Sequence, residues 1–232
     1  MGKHFAFRSS GPAVGRPLSG AVNAPTFVVA IVGAECTGKT TLTVALADAL
    51  DRPERRAVHV NEYLREFCDA QGRTPRREEQ TGIAAEQTRR IAAAAARHAI
   101  VVADTTAMMT AVYSDWVFGD ASLYPAAARD HRNADLTLLT ALDLAWRPDG
   151  LQRDGPQVRE PIDAMLRAAL HSSGIGYSVI VGSGQARTDA ALRAVEHALA
   201  ARDDPPRAAP AWRSVCERCG DPDCERRLLA QN

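Results

Sequence analysis

The chain has 232 residues, of which 46% are hydrophobic and 24% charged, a composition typical of a globular protein with a sizeable core. Its 28 basic and 28 acidic residues cancel, and this neutrality argues against a protein held to nucleic acid by a broad basic surface. No apolar run is long enough to cross a membrane, and the N-terminus lacks a signal-peptide pattern. We therefore expect a cytoplasmic protein without a membrane partner; the sequence does not indicate an oligomeric state.

Apolar runs and helix-forming stretches alternate through residues 26–202. The predicted strands are 26–32, 57–61, 99–103, 135–140 and 177–181. The predicted helices are 39–50, 62–70, 76–98, a stretch ending near 118, 158–172 and 186–201. This alternation predicts an α/β domain with a mostly parallel five-stranded sheet and helices on both faces. Residues 1–25 are expected to form a flexible tail, and residues 203–232 a Pro-rich, cysteine-containing tail.

A phosphate-binding motif follows the first predicted strand. Residues 33–40 (GAECTGKT) fit G-x-x-x-x-G-K-[ST] between a strand and a helix, which is the context this motif requires. Glycine at both ends allows the loop to turn its N–H groups toward a phosphate, and Lys39 would neutralise the β- and γ-phosphates. The chain has 26 Arg but only two Lys, so a lysine here is informative. The predicted ATP-binding residues of this segment are Gly33, Glu35, Cys36, Thr37, Gly38, Lys39, Thr40 and Thr41.

Two carboxylates follow predicted strands at the edge of the sheet where ligands bind in open α/β folds. Glu62 follows the second strand and Asp104 the third. We expect Thr40 and Asp104 to hold Mg²⁺, and one of the two acids to act on the attacking hydroxyl. The sequence does not decide which of the two acids is the base and which positions the metal. Each acid could instead complement the dipole at a helix N-terminus.

Candidate substrate contacts lie on the two helices that follow these acids. Arg65 shares a helical face with Glu62, and Tyr113 and Trp116 are three residues apart on the helix after Asp104. An aromatic pair at the sheet edge could stack on a base. A structural ion pair for Arg65 and core packing for the two aromatic residues are the alternatives.

The polar loop at 142–156 could form a lid over the site. Phosphoryl transfer requires cations near the developing charge and exclusion of water, and this loop carries Arg153 and leads to Arg159. A solvated surface loop is the alternative. After the fifth strand, a glycine-rich turn leads to Arg187, which either contacts the adenine of ATP or only joins strand to helix.

Four elements in series make the chain resemble the NadR-like nicotinamide-riboside kinase family of P-loop proteins. They are GAECTGKTTL, NEYLREF, VVADTT with VYSDWVFG, and DLTLLT with LAWRPDG. The resemblance implies transfer of phosphate from ATP, with Mg²⁺, to the ribose 5′-hydroxyl of nicotinamide riboside, which yields nicotinamide mononucleotide for NAD synthesis. It also implies that Glu62 and Arg65 border the riboside, that Asp104 is the strand-end acid, and that Asp149 and Arg153 belong to the lid. A kinase for another nucleoside or nucleotide, or a nucleotide-binding regulatory ATPase, remains an alternative.

Three cysteines near the C-terminus have a spacing seen in zinc sites. Cys216, Cys219 and Cys224 form C-x₂-C-x₄-C. A fourth ligand would have to come from Cys68, a histidine such as His171 or His197, or another chain. A tail of reduced thiols is the alternative.

Overall fold

A computed structural model describes residues 25–146 and 155–203. Five strands form one sheet in the order β2-β3-β1-β4-β5, and all four neighbouring pairs are parallel. The strands are β1 Phe27–Val32, β2 Ala57–Val60, β3 Ile100–Asp104, β4 Leu136–Thr140 and β5 Ser178–Ile180. The predicted five-stranded parallel sheet is confirmed, and its central strand is the one that precedes the phosphate-binding motif.

Seven α-helices connect and follow the strands in the described part of the chain. They are α1 Lys39–Leu50, α2 Tyr63–Gln71, α3 Gln80–Ala95, α4 Ala107–Phe118, α5 Tyr124–His131, α6 Arg159–Ser172 and α7 Gly184–Asp203. None of these helices has both the length and the apolar character needed to span a membrane.

The helices cover both faces of the sheet, as predicted. Every residue of β1 is buried because the strand lies at the centre of the sheet with helices on each side. Val29 and Ile31 pack with α1 and α7 on one face. Val28 packs with α3 and Val32 with α4 and α6 on the other. A parallel sheet buried in this way places the carboxyl ends of its strands at one edge, where the loops carrying the predicted site converge.

Two helix predictions need correction. The stretch predicted as one helix over 76–98 is a 3₁₀ turn, Arg77–Glu79, followed by α3, which ends at Ala95. Helix α5 was not predicted, because its Tyr-Pro start resembles a break. Pro125 lies in the first helical turn, however, where its missing N–H costs nothing.

The last residue of α5 is a buried histidine that joins three elements. His131 is only 2% exposed. Its Nδ1 lies 2.7 Å from Oγ1 of Thr106, the N-cap of α4, and its Nε2 lies 2.9 Å from Oγ1 of Thr137 in β4. Burial lowers the pKa of His131 to about 4, so the ring is neutral and bridges the two hydroxyls at neutral pH.

Candidate functional site

The glycine-rich motif forms a closed loop at the end of β1. Gly33 and Gly38 have φ of 150° and 76°, and Cys36 between them also has a positive φ, 53°. These left-handed conformations curl the loop so that the Lys39 ammonium donates to the Ala34 carbonyl at 3.0 Å. Gly38 is the N-cap of α1, so the positive end of the helix dipole points into the loop. The geometry is that of a phosphate cradle.

Thr140 of β4, which no sequence motif singled out, supports this loop. Thr140 Oγ1 donates to Thr37 Oγ1 at 2.7 Å, and Thr37 Oγ1 donates to the Ala34 carbonyl at 2.8 Å. A Cβ on Gly33 would lie 2.1 Å from Thr140 Oγ1, so only glycine fits there. Thr37 is fully buried, and its hydroxyl is committed to the loop itself. Its part in phosphate binding would therefore fall to its backbone N–H.

Asp104 and Thr40 meet beside the loop. Thr40 Oγ1 donates to Asp104 Oδ2 at 2.5 Å, while Asp104 Oδ1 is buried and has no hydrogen-bond partner in the described residues. A hydroxyl beside a carboxylate oxygen that needs a partner is a donor set that suits Mg²⁺. Asp104 does not cap α4, because Thr106 is the N-cap and its Oγ1 accepts from Met108 N. Complementing the dipole of α4 stays an alternative for Asp104.

Glu62 lies at the start of α2 but does not cap it. The residue occupies the N-cap position, yet its side chain makes no capping hydrogen bond. Arg65 Nε lies 4.0 Å from Glu62 Oε2. The carboxylate is thus held near a cation while it faces the cavity between α2 and the phosphate-binding loop.

A cavity of about 250 Å³ opens between this loop and helices α2, α3 and α4. Polar and apolar side chains line it together, among them Glu35, Cys36, Lys39, Glu62, Arg65 and Tyr113. Tyr113 is therefore placed with the predicted site, whereas Trp116 does not line the cavity and is 41% exposed on α4. The exposed side chain of Thr41, on the first turn of α1, also does not line it.

Glu66 and Cys68, two further polar residues of α2, differ in their surroundings. Glu66 Oε2 pairs with Arg90 of α3 at 2.6 Å, so this acid ties the two helices together. Cys68 lines the cavity, and burial raises the pKa of its thiol, with nearby carboxylates adding to the effect. A thiol with a raised pKa is a poor nucleophile and a poor metal ligand at neutral pH.

Arg187 joins the ends of β4 and β5. Its guanidinium is buried and donates to Asp143 Oδ1 at 2.9 Å and to the Gly182 carbonyl at 2.6 Å. Burial alone would raise the pKa of Asp143. The hydrogen bonds that Asp143 accepts from the Gly182 N–H and from Arg187 outweigh burial and lower this pKa. The contacts fit the predicted strand-to-helix joining role. Adenine contact stays a prediction.

Arg159, the first residue of α6, has two nitrogen atoms without a hydrogen-bond partner in the described residues. Nη1 donates to the Leu144 carbonyl at 2.9 Å, but Nε and Nη2 are buried without a partner in the described residues. The Leu144 side chain reaches within 3.0 Å of the position that a Cβ on Gly38 would take. Leu144 thus contacts both the loop and the buried Arg159 guanidinium, a group that is chemically suited to bind an anion.

Several predicted residues lie outside the described residues. These are Asp149 and Arg153 of the polar loop and Cys216, Cys219 and Cys224 of the C-terminal segment. Within residues 25–146 and 155–203, no group of three or more His, Cys, Asp or Glu side chains is arranged to hold a metal. The zinc prediction therefore gains no support from the described part of the chain.

Proteins that insert such a loop between the central strand of a parallel sheet and a helix are P-loop nucleotide-binding proteins, and this chain has their fold. The chain belongs to the AAA_28 family, described as an AAA domain, whose model matches residues 28–187. Comparison with curated proteins returned no match.

Solved structures share the fold at low sequence identity. A NadR protein in complex with NAD and AMP-PNP superposes with a TM-score of 0.61 and 22% identity, covering 76% of this chain and 50% of that one. A NadR protein in complex with NR gives 0.60 and 22%, with coverage of 75% and 50%. Thymidylate kinase from Ehrlichia chaffeensis gives 0.50 and 16%, with coverage of 76% and 100%. The chain spans about half the length of the NadR structures that it matches.

Proposed function

We propose that the protein is an ATP- and Mg²⁺-dependent kinase that phosphorylates a small nucleoside, with nicotinamide riboside as the preferred acceptor. The observation that carries this proposal is the cavity bounded by Lys39 of the phosphate-binding loop and by Glu62 of α2. A nucleotide-binding switch needs no acceptor pocket beside the phosphates, whereas an enzyme that transfers phosphate must bind its acceptor there.

The residues around the cavity divide the work of phosphoryl transfer. In the reaction, an acceptor hydroxyl oxygen bonds to the γ-phosphorus, the bond from that phosphorus to the β–γ bridging oxygen breaks, and the hydroxyl proton goes to a base. Lys39 neutralises phosphate charge, and Asp104 with Thr40 would hold Mg²⁺, which would offset charge on the phosphate oxygens. Glu62 is the candidate base because it faces the cavity, whereas Asp104 is engaged with Thr40.

The choice of acceptor rests on charge and on resemblance. Nicotinamide riboside carries a cationic ring, which favours a pocket with a carboxylate and an aromatic face. Glu62 and Tyr113 both line the cavity and are suited to these roles. The sequence elements described above and the fold shared with NadR proteins point to the same acceptor. The roles of Asp149 and Arg153 as lid residues and of Arg187 near adenine remain predictions.

The test is a panel of acceptors incubated with the protein, ATP and Mg²⁺. We expect nicotinamide riboside to be phosphorylated with a higher kcat/KM than adenosine, cytidine, uridine or thymidine, measured by product formation. Lys39→Ala should abolish turnover without unfolding the domain, because Lys39 is the first residue of α1 and its ammonium donates into the phosphate-binding loop rather than into the core. Arg97→Ala removes an exposed cation whose Nε donates to the Ala93 carbonyl of α3, and it should leave turnover unchanged.

A second variant separates transfer from hydrolysis. Glu62→Gln should lower transfer to the riboside by about 10² to 10⁴, the range of general-base groups, and lower background ATP hydrolysis less. A common nucleoside that is a good acceptor while the riboside is inert would move the proposal to another nucleoside kinase. Failure of every acceptor, with hydrolysis that responds only to a protein partner, would support the regulatory ATPase.

A further inference from the structure

Gln87 is a buried amide in the middle of α3, where the helix packs against the end of the sheet. The side chain is 2% exposed. A buried amide costs free energy unless its hydrogen bonds are made, so its partners matter. Those partners are backbone groups of the two segments that carry Glu62 and Asp104.

The Gln87 amide holds both peptide groups that flank Glu62. The Tyr63 N–H, from the peptide after Glu62, donates to Gln87 Oε1 at 2.7 Å. Gln87 Nε2 donates to the Asn61 carbonyl, from the peptide before Glu62, at 3.3 Å. One side chain therefore fixes the backbone on both sides of the candidate base.

The same Nε2 reaches the other acid-bearing segment. It lies 3.4 Å from the Asp104 carbonyl and 3.5 Å from the Thr105 carbonyl. Thr105 is β-branched, buried and has a φ of 67°, a conformation that such residues rarely adopt. These longer bonds help to hold a backbone that would otherwise relax beside Asp104.

We infer that Gln87 is a positioning residue that sets the relative placement of Glu62 and Asp104 for phosphoryl transfer. The inference rests on the proposed function for the role of Glu62. The two acids lie at the ends of different strands, β2 and β3. The Gln87 amide is a single group that hydrogen-bonds to the backbone at both strand ends. Small displacements of reacting groups cost large factors in rate, so loss of this amide should act on kcat rather than on nucleotide binding.

The test compares Gln87→Met, which keeps the length of the side chain but removes the amide, with Thr88→Val on the next residue of α3. Thr88 also makes partly buried hydrogen bonds, to Ala84 O at 3.1 Å and Asp130 Oδ2 at 3.2 Å, and these partners lie outside the acid-bearing segments. Gln87→Met should lower kcat for nucleoside phosphorylation by about 10²-fold with little change in the KM for ATP. Thr88→Val should lower the unfolding temperature without a comparable loss of kcat.

A double-mutant cycle separates positioning from general stability. If Gln87 acts through Glu62, Gln87→Met should cost much less in a Glu62→Gln background than in the wild type. An equal cost in both backgrounds, or an equal loss of kcat in Thr88→Val, would overturn the inference. Should Gln87→Met fail to fold, Gln87→Glu serves in its place, since its carboxyl group accepts from Tyr63 N–H and donates to a carbonyl only when protonated. Its activity relative to wild type should recover as pH falls, and a flat ratio would count against the inference.

Failure of the proposed function gives a different pattern. If no nucleoside accepts phosphate, the cycle is repeated on Mg²⁺-dependent ATP hydrolysis with Asp104→Asn as the second change, because Gln87 also bonds the Asp104 carbonyl. Non-additive effects there would retain Gln87 as a positioning residue for Asp104, and additive effects would remove it from the site.

Discussion

The two carboxylate oxygens of Asp104 differ in their hydrogen bonding, and this difference is the basis of the metal-binding role that we propose for the residue. Oδ2 accepts from Thr40, whereas Oδ1 is buried without a partner in the described residues. An unpaired carboxylate oxygen in that position costs free energy in the folded protein. A bound cation would offset that cost, which supports the proposal that Asp104 binds a metal rather than moves a proton.

Replacement of Asp104 by Asn should separate binding from catalysis. Asp104→Asn keeps the side-chain shape but removes the charge, so Mg²⁺-dependent kcat should fall by about 10² to 10³, the range for loss of one electrostatic contribution to the transition state. ATP affinity, measured with a fluorescent ATP analogue, should change less. A kcat near that of the wild type at saturating Mg²⁺ would show that Asp104 only stabilises the local structure.

Arg159 should contribute to binding of the ATP phosphates. Because two of its donor groups are buried without partners, Arg159→Met should weaken ATP binding by about 10-fold, the value of a charge-assisted hydrogen bond. The control is Arg167→Met on the same helix, whose guanidinium already donates to Asp163 at 2.6 Å. Equal affinities for wild type and Arg159→Met would assign Arg159 to structure alone.

At the scale of elements, one residue of β4, Thr140, fixes the shape of the phosphate-binding loop. Gly33 approaches Thr140 so closely that no side chain can be accommodated, and the Thr140–Thr37–Ala34 hydrogen bonds complete the join. The shape of the loop therefore depends on a strand more than 100 residues away along the chain, as the separation of 103 between Thr140 and Thr37 shows.

Gly33→Ala should destabilise the domain and abolish ATP binding together. Gly72→Ala is the matched control, since Gly72 also has a positive φ, 65°, but nothing within 4 Å of a Cβ. The control should lose about 1 kcal/mol of unfolding free energy from backbone strain and keep its ATP affinity. Gly33→Ala should lose more by at least about 1–3 kcal/mol, the cost of overpacking. Denaturant unfolding and ATP titration of both variants provide the measurement, and equal losses would disprove the packing argument.

The elements that could be predicted from sequence are those with local signals. Strands β1 and β3 are continuous apolar runs, and the residues of the phosphate-binding loop follow from a spacing motif. The roles of Gln87 and Thr140 could not be predicted, because each depends on partners far along the chain that only the folded sheet brings together. In retrospect, the sequence offered two signals. They are a glutamine within an Ala-rich helix and a threonine at the end of an apolar strand.

At the scale of the whole molecule, His131 couples stability to pH. The pKa of His131 is about 4 in the folded protein, below the ordinary histidine value of 6.5, so the unfolded chain binds more protons between those two pH values. The folding free energy contributed by the neutral ring is complete above about pH 6.5 and is lost as pH falls toward 4. A shift of this size corresponds to on the order of 3 kcal/mol.

His131→Gln should flatten the dependence of unfolding free energy on pH across this window, because glutamine does not titrate there. The control is His197→Gln, which replaces an exposed histidine of α7 and should keep the wild-type slope. Urea unfolding at several pH values between 4 and 7 measures the slopes. A wild-type slope in His131→Gln would assign the acid sensitivity to other groups.

The side chains around the phosphate-binding loop fall into two groups, one on each side of the central strand β1. The cavity is walled by α2, α3 and α4 beside β2 and β3, while Arg187, Asp143 and Gly182 join the strand ends on the opposite side, at β4 and β5. Mutations that reshape the first half leave the hydrogen bonds of the second untouched. Under the proposed function, substitutions on α2 and α4 can therefore retune acceptor preference without disturbing the joint that Arg187 makes between β4 and β5.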